Sequence, residues 1–409
     1  MTAEDSPVSG VCVQVAALQV GVVRVGALPA ACRGRLARRA RRARDHAHPP
    51  GSTPPDVNRV AAETVRRLVA AELVSEGPAV GTGARGRPTR ARGTHPNGPL
   101  VVVAAVAHES WQVATVQIGG ELVACDQHRH SGRRAAVLRD VAGALRASCL
   151  RGRGRVGAIA VSVPGTVSGT RLVQAPNLGW SGVDLLTLRP SEAAGLPLLA
   201  GNDATFSALA EDRRGAGAGA ASSVHVYMDS GVGGALIDAG RIVLGAHGRA
   251  GEFGHLPFGR PDAPCRCGAR GCWNTSLDGA ALARALGRPA PADEVSFSRE
   301  VLAGARGGAV AERRVANRVS AAVGRGVAGL VNALDPEIVT LGGLAGELLD
   351  IAGAQMDRAY RRGLMGTIAM RPPAIRAGAL GELAPVLGAA ELAFDAILDD
   401  LALTLVPPT

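Results

Sequence analysis

His255, Cys265, Cys267 and Cys272 fall within eighteen residues, spaced H-x9-C-x-C-x4-C on a stretch punctuated by glycine. One imidazole and three thiolates give four soft donors, enough to close a tetrahedron around Zn²⁺ as structural Cys₃His sites do. Gly268 and Gly271 permit the tight turns that fold so short a segment around an ion. Thiols that merely fill space are the alternative; the spacing points to structural zinc. The remaining cysteines, Cys12, Cys32, Cys125 and Cys149, show no disulfide-framework spacing, which favours a reducing compartment.

A second group of residues suits a hydroxyl-rich ligand. The apolar run 196–200 reads as a strand that ends in Gly201-Asn202-Asp203, ahead of a helix containing Phe206, Leu209 and Glu211. An Asn-Asp pair at such a strand end either caps the helix or hydrogen-bonds vicinal hydroxyls. Further on, Asp229-Ser230-Gly231-Val232-Gly233-Gly234 is a turn whose small residues let backbone N–H groups approach a phosphate.

Around these residues the chain resembles the ROK family, which contains sugar kinases and sugar-responsive repressors on an actin-like fold. Gly251-Glu252-Phe253-Gly254-His255 followed by Cys265-Arg266-Cys267-Gly268-Ala269-Arg270-Gly271-Cys272 looks like that family's zinc motif. Pro164-Gly165-Thr166 and Pro176-Asn177-Leu178-Gly179-Trp180 resemble the segments that line its sugar cleft, and residues 331–343 resemble its adenosine-side segment. The resemblance implies a sugar site built from Gly165, Asn177, Asn202, Asp203, Glu252 and His255, with one His255 nitrogen for the metal and the other for a sugar oxygen. In the family's kinases the residue matching Asp203 is the general base. The family motif ends G-C-x-E, whereas this chain reads Gly271-Cys272-Trp273-Asn274. Asn274 therefore brings an uncharged amide to the site, able to donate and accept but not to carry charge.

The elements that must hold these residues read as α/β from Pro99 onward. Segments 100–107, 111–118 and 121–125 are strands, with Gly119-Gly120 at a hairpin turn. The pattern returns about 120 residues later in 224–229, 233–238 and 241–244, with Ala239-Gly240 at the turn. Two related lobes facing a cleft are what an actin-like fold requires. The two copies differ in chemistry. The family's kinases carry a D-x-G-G-T phosphate loop at the first turn; here Ala104, Val106, Ala107, His108 and Trp111 stand in its place. No carboxylate is placed to hold Mg²⁺ there and an indole stands nearby, so ATP is not expected as a cofactor.

Charge divides the chain. All 45 basic residues are Arg, so no Lys is available for phosphate contact or Schiff-base chemistry. Residues 1–98 carry 15 Arg against 7 Asp and Glu, while the remainder is close to neutral. A basic unit on a neutral body is the footprint of a nucleic-acid-binding module. Asp56 can cap an amphipathic helix running to about Val74, with Arg59, Arg66 and Arg67 on its polar face. Glu72-Leu73-Val74-Ser75-Glu76-Gly77 looks like the start of a wing, and Arg85-Gly86-Arg87-Pro88 resembles the family's basic linker, an extended segment suited to a minor groove. The helices that should precede a recognition helix are not recognisable.

We therefore expect an Arg-rich segment over 1–54, a partial winged helix-turn-helix and basic linker over 55–98, and a zinc-bearing actin-like body over 99–409. The implied function is a cytoplasmic sugar-responsive transcriptional regulator, dimeric or higher, with operator DNA and a sugar or sugar derivative as partners. The apolar run 11–23 is too short to span a membrane. The alternative is an ATP-dependent hexose kinase with Asp203 as base.

Overall fold

The computed structural model describes residues 66–80, 89–130 and 132–405. A helical stretch over 66–70 leads into an antiparallel pair, β1 (Val74–Val80) and β2 (Thr89–Thr94). The helix stops short of the expected Val74. Leu73 donates its N–H back to Leu68 O, and Glu72 takes a left-handed φ of 54°, which breaks the helical path. Arg59, Arg85 and Arg87 lie outside the described residues. β1 and β2 pair with each other on either side of residues 81–88.

The first lobe opens with a meander of β3 (Leu100–Val106), β4 (Ser110–Gln117) and β5 (Leu122–Arg129), followed by helix α1 (Arg134–Arg151). Then come β6 (Val156–Val163), a small sheet of β7 (Thr166–Ser168), β8 (Arg171–Ala175) and β9 (Trp180–Asp184), and β10 (Leu198–Asn202). The main sheet is ordered β10-β6-β3-β4-β5, its first three strands parallel. Helix α2 (Asp203–Arg214) crosses to the second lobe.

There the plan repeats. β11 (Ser222–Met228), β12 (Val232–Asp238) and β13 (Arg241–Ile242) form the second meander. Helices α3 (Gly279–Ala285), α4 (Glu294–Arg306) and α5 (Val310–Leu334) precede β14 (Ile338–Gly343), and α6 (Leu344–Gly363) precedes β15 (Ala374–Ala377). The sheet order β13-β12-β11-β14-β15 has β11, β14 and β15 parallel, matching β3, β6 and β10 of the first lobe. The expected internal repeat is thus a repeat of topology as well as of pattern.

Aliphatic runs explain the core. β3 is buried along its whole length, as a central strand covered on both faces must be. Its alternate residues feed two clusters: Val102, Ala104 and Val106 face α1, while Val101, Val103 and Ala105 face the final helix α7 (Ala384–Leu405). Helix α7 belongs to the first lobe although it follows the second in sequence. Arg213 and Arg214 at the end of α2 pair with its Glu391, and Arg213 also reaches Asp395 at 2.6 Å, an ion network almost wholly out of water. In the second lobe α5 buries Val315, Val319, Val323 and Val327 at helical spacing. It ends at Asp335, whose φ of 47° precedes Pro336, where no helix can continue.

Candidate functional site

The lobes face each other across a cleft of about 710 Å³. Its first-lobe wall is formed by the ends of β6 and β10 and by the β8–β9 connection. Its second-lobe wall is the β11–β12 turn together with loop 249–278. The residues expected at a sugar site, Gly165, Asn177, Asn202, Asp203, Glu252, His255 and Asn274, all border this one space.

Their side chains are already engaged. Asn202 Oδ1 accepts from Thr205 N at 3.1 Å and caps α2, while its Nδ2 donates to Gly165 O at 2.9 Å. Capping and site-building are therefore one arrangement, because the cap fixes the glycine turn opposite. Gly165 has a φ of 115° and packs against the Gln174 carbonyl so closely that a Cβ would lie 2.3 Å from it. No side chain fits there.

Asp203 is a strongly perturbed carboxyl in the cleft. Burial raises it to about 7, with the Asp229 and Glu252 carboxylates pushing the same way against the hydrogen bond it accepts from Ala204 N at 2.8 Å. A carboxyl poised near neutrality at a ligand cleft can accept a proton from a hydroxyl or hold one itself. Asp229 is also raised, chiefly by burial, with Arg299 opposing at 3.4 Å.

Hydrogen bonds cross the cleft beside it. Thr166 Oγ1 donates to Glu252 Oε1 at 3.0 Å, and Asn177 Nδ2 donates to Ser230 Oγ at 2.9 Å. Asn274 holds the second wall by accepting from Val232 N at 2.7 Å. Its amide oxygen also sits where a Cβ on Gly254 would come within 2.4 Å, so Gly254 must stay bare. Thr166 lies in a segment expected to line the cleft, whereas sequence reasoning gave Arg266 no role there; it reaches Asn177 Oδ1 at 3.5 Å and pairs with Glu294.

The glycine turn divides by role. Gly231 and Gly233 border the cleft. Gly234 faces away, against the Phe253 ring and the His225 carbonyl, where a Cβ would lie 2.0 Å from that oxygen. Gly251, with φ of 96°, meets Gly234 O just as closely, which lets the Glu252–His255 turn lie flat on β12. At the first-lobe turn Trp111 pairs with Val106, as Val232 pairs with Met228, so the first turn is one residue longer than the second. The indole consequently points into the core under α1 and stacks on His128, with ring centroids 4.7 Å apart. His108 and Glu109, not Trp111, reach from that turn to the second lobe, toward Asp293 and Ser296.

At the far rim the ligand atoms of His255, Cys265, Cys267 and Cys272 all lie within 4.8 Å of one another. His255 Nδ1 is 3.8 Å from Cys265 Sγ, and Cys267 Sγ is 3.7 Å from Cys272 Sγ. Metal–ligand bonds of about 2.0–2.3 Å give tetrahedral edges near these values, so the donor set fits a metal ion. His255 Nε2 meanwhile lies 4.0 Å from Glu252 Oε2, which also borders the cleft. The rim is anchored by Trp273, next to Cys272 and wholly buried, whose Nε1 donates to Ala322 O of α5 at 3.2 Å.

The sequence profile of the ROK family matches residues 109–396. The chain belongs to this family. It is 32% identical over 187 residues to a glucokinase of Halalkalibacterium halodurans, covering 42% of this chain and 56% of that protein. To a xylose repressor of Caldicellulosiruptor bescii it is 31% identical over 202 residues, 46% of this chain and 50% of the other. The chain thus spans about half the length of these two curated relatives. Among solved structures, a ROK family transcriptional regulator described as a homolog of the E. coli MLC protein superposes with a TM-score of 0.71 at 21% identity, covering 96% of this chain and 97% of that one. That likeness establishes the ROK fold. Of the expected winged helix-turn-helix, the described residues include a helical stretch over 66–70 and the β1–β2 hairpin, and these do not by themselves show such a module. Among the described residues, no helix is long and apolar enough to cross a membrane.

Proposed function

We propose that this protein is a sugar-responsive transcriptional regulator, with a sugar or sugar derivative bound between the lobes and DNA bound by the N-terminal region. The observation that carries the reading is the unequal state of the cleft. At one end, Asp203, Glu252, Asn177 and Asn202 converge as hydroxyl-binding groups. At the other, the first-lobe turn commits Glu109 to Ser296 and Arg129, where a nucleotide would need open backbone N–H groups. Zinc at His255, Cys265, Cys267 and Cys272 would be the structural ion that fixes the loop carrying Glu252.

In this reading the sugar draws the lobes together through Asp203 on one side and Glu252 and His255 on the other. Such a ligand biases closure only by its differential affinity for the open and closed forms, with a coupling of about 1–3 kcal/mol expected. Arg59, Arg66 and Arg67 would present a helix to the major groove, with Arg85 and Arg87 on the wing. A hexose kinase is the second reading, favoured by the near-neutral carboxyl of Asp203.

Two assays separate them. Incubation with hexoses and Mg-ATP should yield no ADP above background; turnover that vanishes in Asp203→Asn would establish the kinase. Mapping bound genomic DNA should reveal a discrete operator, released by one sugar in a screen. A chain lacking residues 1–98 should lose that operator, and Arg85→Ala or Arg87→Ala should each reduce the salt slope by about 0.9.

A further inference from the structure

The nucleotide end of the cleft is bridged by the protein itself, and we infer that this bridge is a clasp that holds the lobes closed without a nucleotide. It joins the β3–β4 turn of the first lobe to the start of α4 in the second. Ser296 Oγ donates to Glu109 Oε1 at 2.9 Å, and Arg129 holds the other oxygen of the same carboxylate at 2.6 Å. Beside it, His108 Nε2 lies 3.7 Å from Asp293 Oδ1. Asp293 is the N-cap of α4 and accepts from Val295 N and Ser296 N, both at 3.0 Å, so the second-lobe half of the clasp is a fixed helix end.

The clasp also reaches the ligand end of the cleft. Ser296 and Arg299 stand three residues apart on α4 and therefore share a face. Arg299 pairs with Asp229 at 3.4 Å, and Asp229 opens the turn whose Ser230 is held across the cleft by Asn177. One rigid helical turn thus links Glu109 to the wall opposite Asp203. In a kinase of this architecture, a nucleotide spanning both lobes would supply closure at this end. Here charge-assisted hydrogen bonds between side chains supply it, which leaves the sugar as the sole variable ligand.

This role in setting sugar response rests on the regulator reading; the clasp itself does not, so it is tested first without any sugar. Amide hydrogen exchange is followed on full-length protein in wild type, Glu109→Ala, Ser296→Ala, the double variant and Glu109→Gln. Each alanine variant should speed exchange across 229–232, which Arg299 contacts one helical turn from Ser296, by roughly tenfold, the scale of one lost charge-assisted hydrogen bond. The double variant should be no faster than the singles, and Glu109→Gln, which still accepts from Ser296, should stay near wild type. Thermal unfolding and metal content of each variant report whether it folds. Loosening confined to 107–111 and 293–297, or fully additive effects in the double variant, would overturn the clasp. In a second arm D-glucose and D-xylose are titrated calorimetrically. If one binds wild type, both alanine variants should bind it several-fold more weakly, and unchanged affinity would remove the clasp from sugar response. If neither binds, the sugar assignment is what fails, and the exchange data still decide whether the clasp exists.

Discussion

Replacing Asp203 by Asn removes a carboxyl that the folded protein holds in its acid form far more tightly than the unfolded chain does. Its ordinary value is 3.8, and in the cleft it stands at about 7. The sign follows from that order. Between the two values the unfolded chain ionises while the folded one keeps its proton, so wild-type stability falls as pH rises through this window and levels off above it. At about 1.4 kcal/mol per unit of difference the full penalty would be roughly 4 kcal/mol, of which about half is in force at pH 5.5 and nearly all at pH 8.5. Water entering the cleft screens the charge, and about 1–2 kcal/mol of pH-dependent difference is the expected signal. Asn can still accept from Ala204 N, so the start of α2 is not disturbed. Urea unfolding of both proteins at pH 5.5 and 8.5, followed by tryptophan fluorescence, measures the difference directly. The Asn variant should be more stable than wild type by a margin that grows toward pH 8.5. A margin equal at the two pH values, or reversed, would show that Asp203 is not held as an acid and would remove its claim to proton chemistry.

The metal reading predicts about one zinc ion per chain by metal analysis of protein purified without chelator, with Cys267→Ser losing the ion and loosening loop 249–278 in hydrogen exchange. Protein isolated without zinc would refute it. Gly326→Ala in α5 should cost about 3 kcal/mol, because the new Cβ would lie 2.2 Å from the ring of Trp273, which is wholly buried. Urea titration checks this, and a near-neutral result would mean that the rim is not anchored through Trp273.

Much of this arrangement was legible in the sequence because it is carried by local rules. The doubled strand meander, the His/Cys spacing and the strand-end Asn202-Asp203 each declare themselves within a few residues. What was not legible depends on register or on distant partners. Trp111 reads as an indole standing at the phosphate turn; the first turn has one more residue than the second, which turns the indole to the other face, since a shift of one flips every side chain. Gly234 reads like a phosphate-loop glycine, yet its bareness serves the close approach of Phe253, almost twenty residues on. Glu109 and Ser296 lie 187 residues apart, and no pattern in either segment announces the other.

The same distinction bears on how a signal could leave the cleft. Leu73 and Val74 are buried in the first-lobe core with Val116 and Ile118, and Gln117 Nε2 donates to His95 O at 2.7 Å. Arg155 holds Pro96 O and Gly98 O at 2.8 and 2.9 Å, so the segment after β2 is tied down on both sides. The base of the hairpin is therefore anchored on the first lobe. Closing the second lobe onto the first leaves that base unmoved relative to its own sheet. If the protein is the regulator proposed above, a sugar that acts only by closure could reach DNA in one of two ways: through contacts between hairpin and second lobe, or through a dimer joined by second lobes. In the second case each chain's rotation adds to its partner's, and the spacing of the two DNA-binding units responds to closure although neither unit changes shape. A dimer joined through its first lobes would hold that spacing fixed, and locating the dimer contact therefore decides whether cleft closure alone can carry the response.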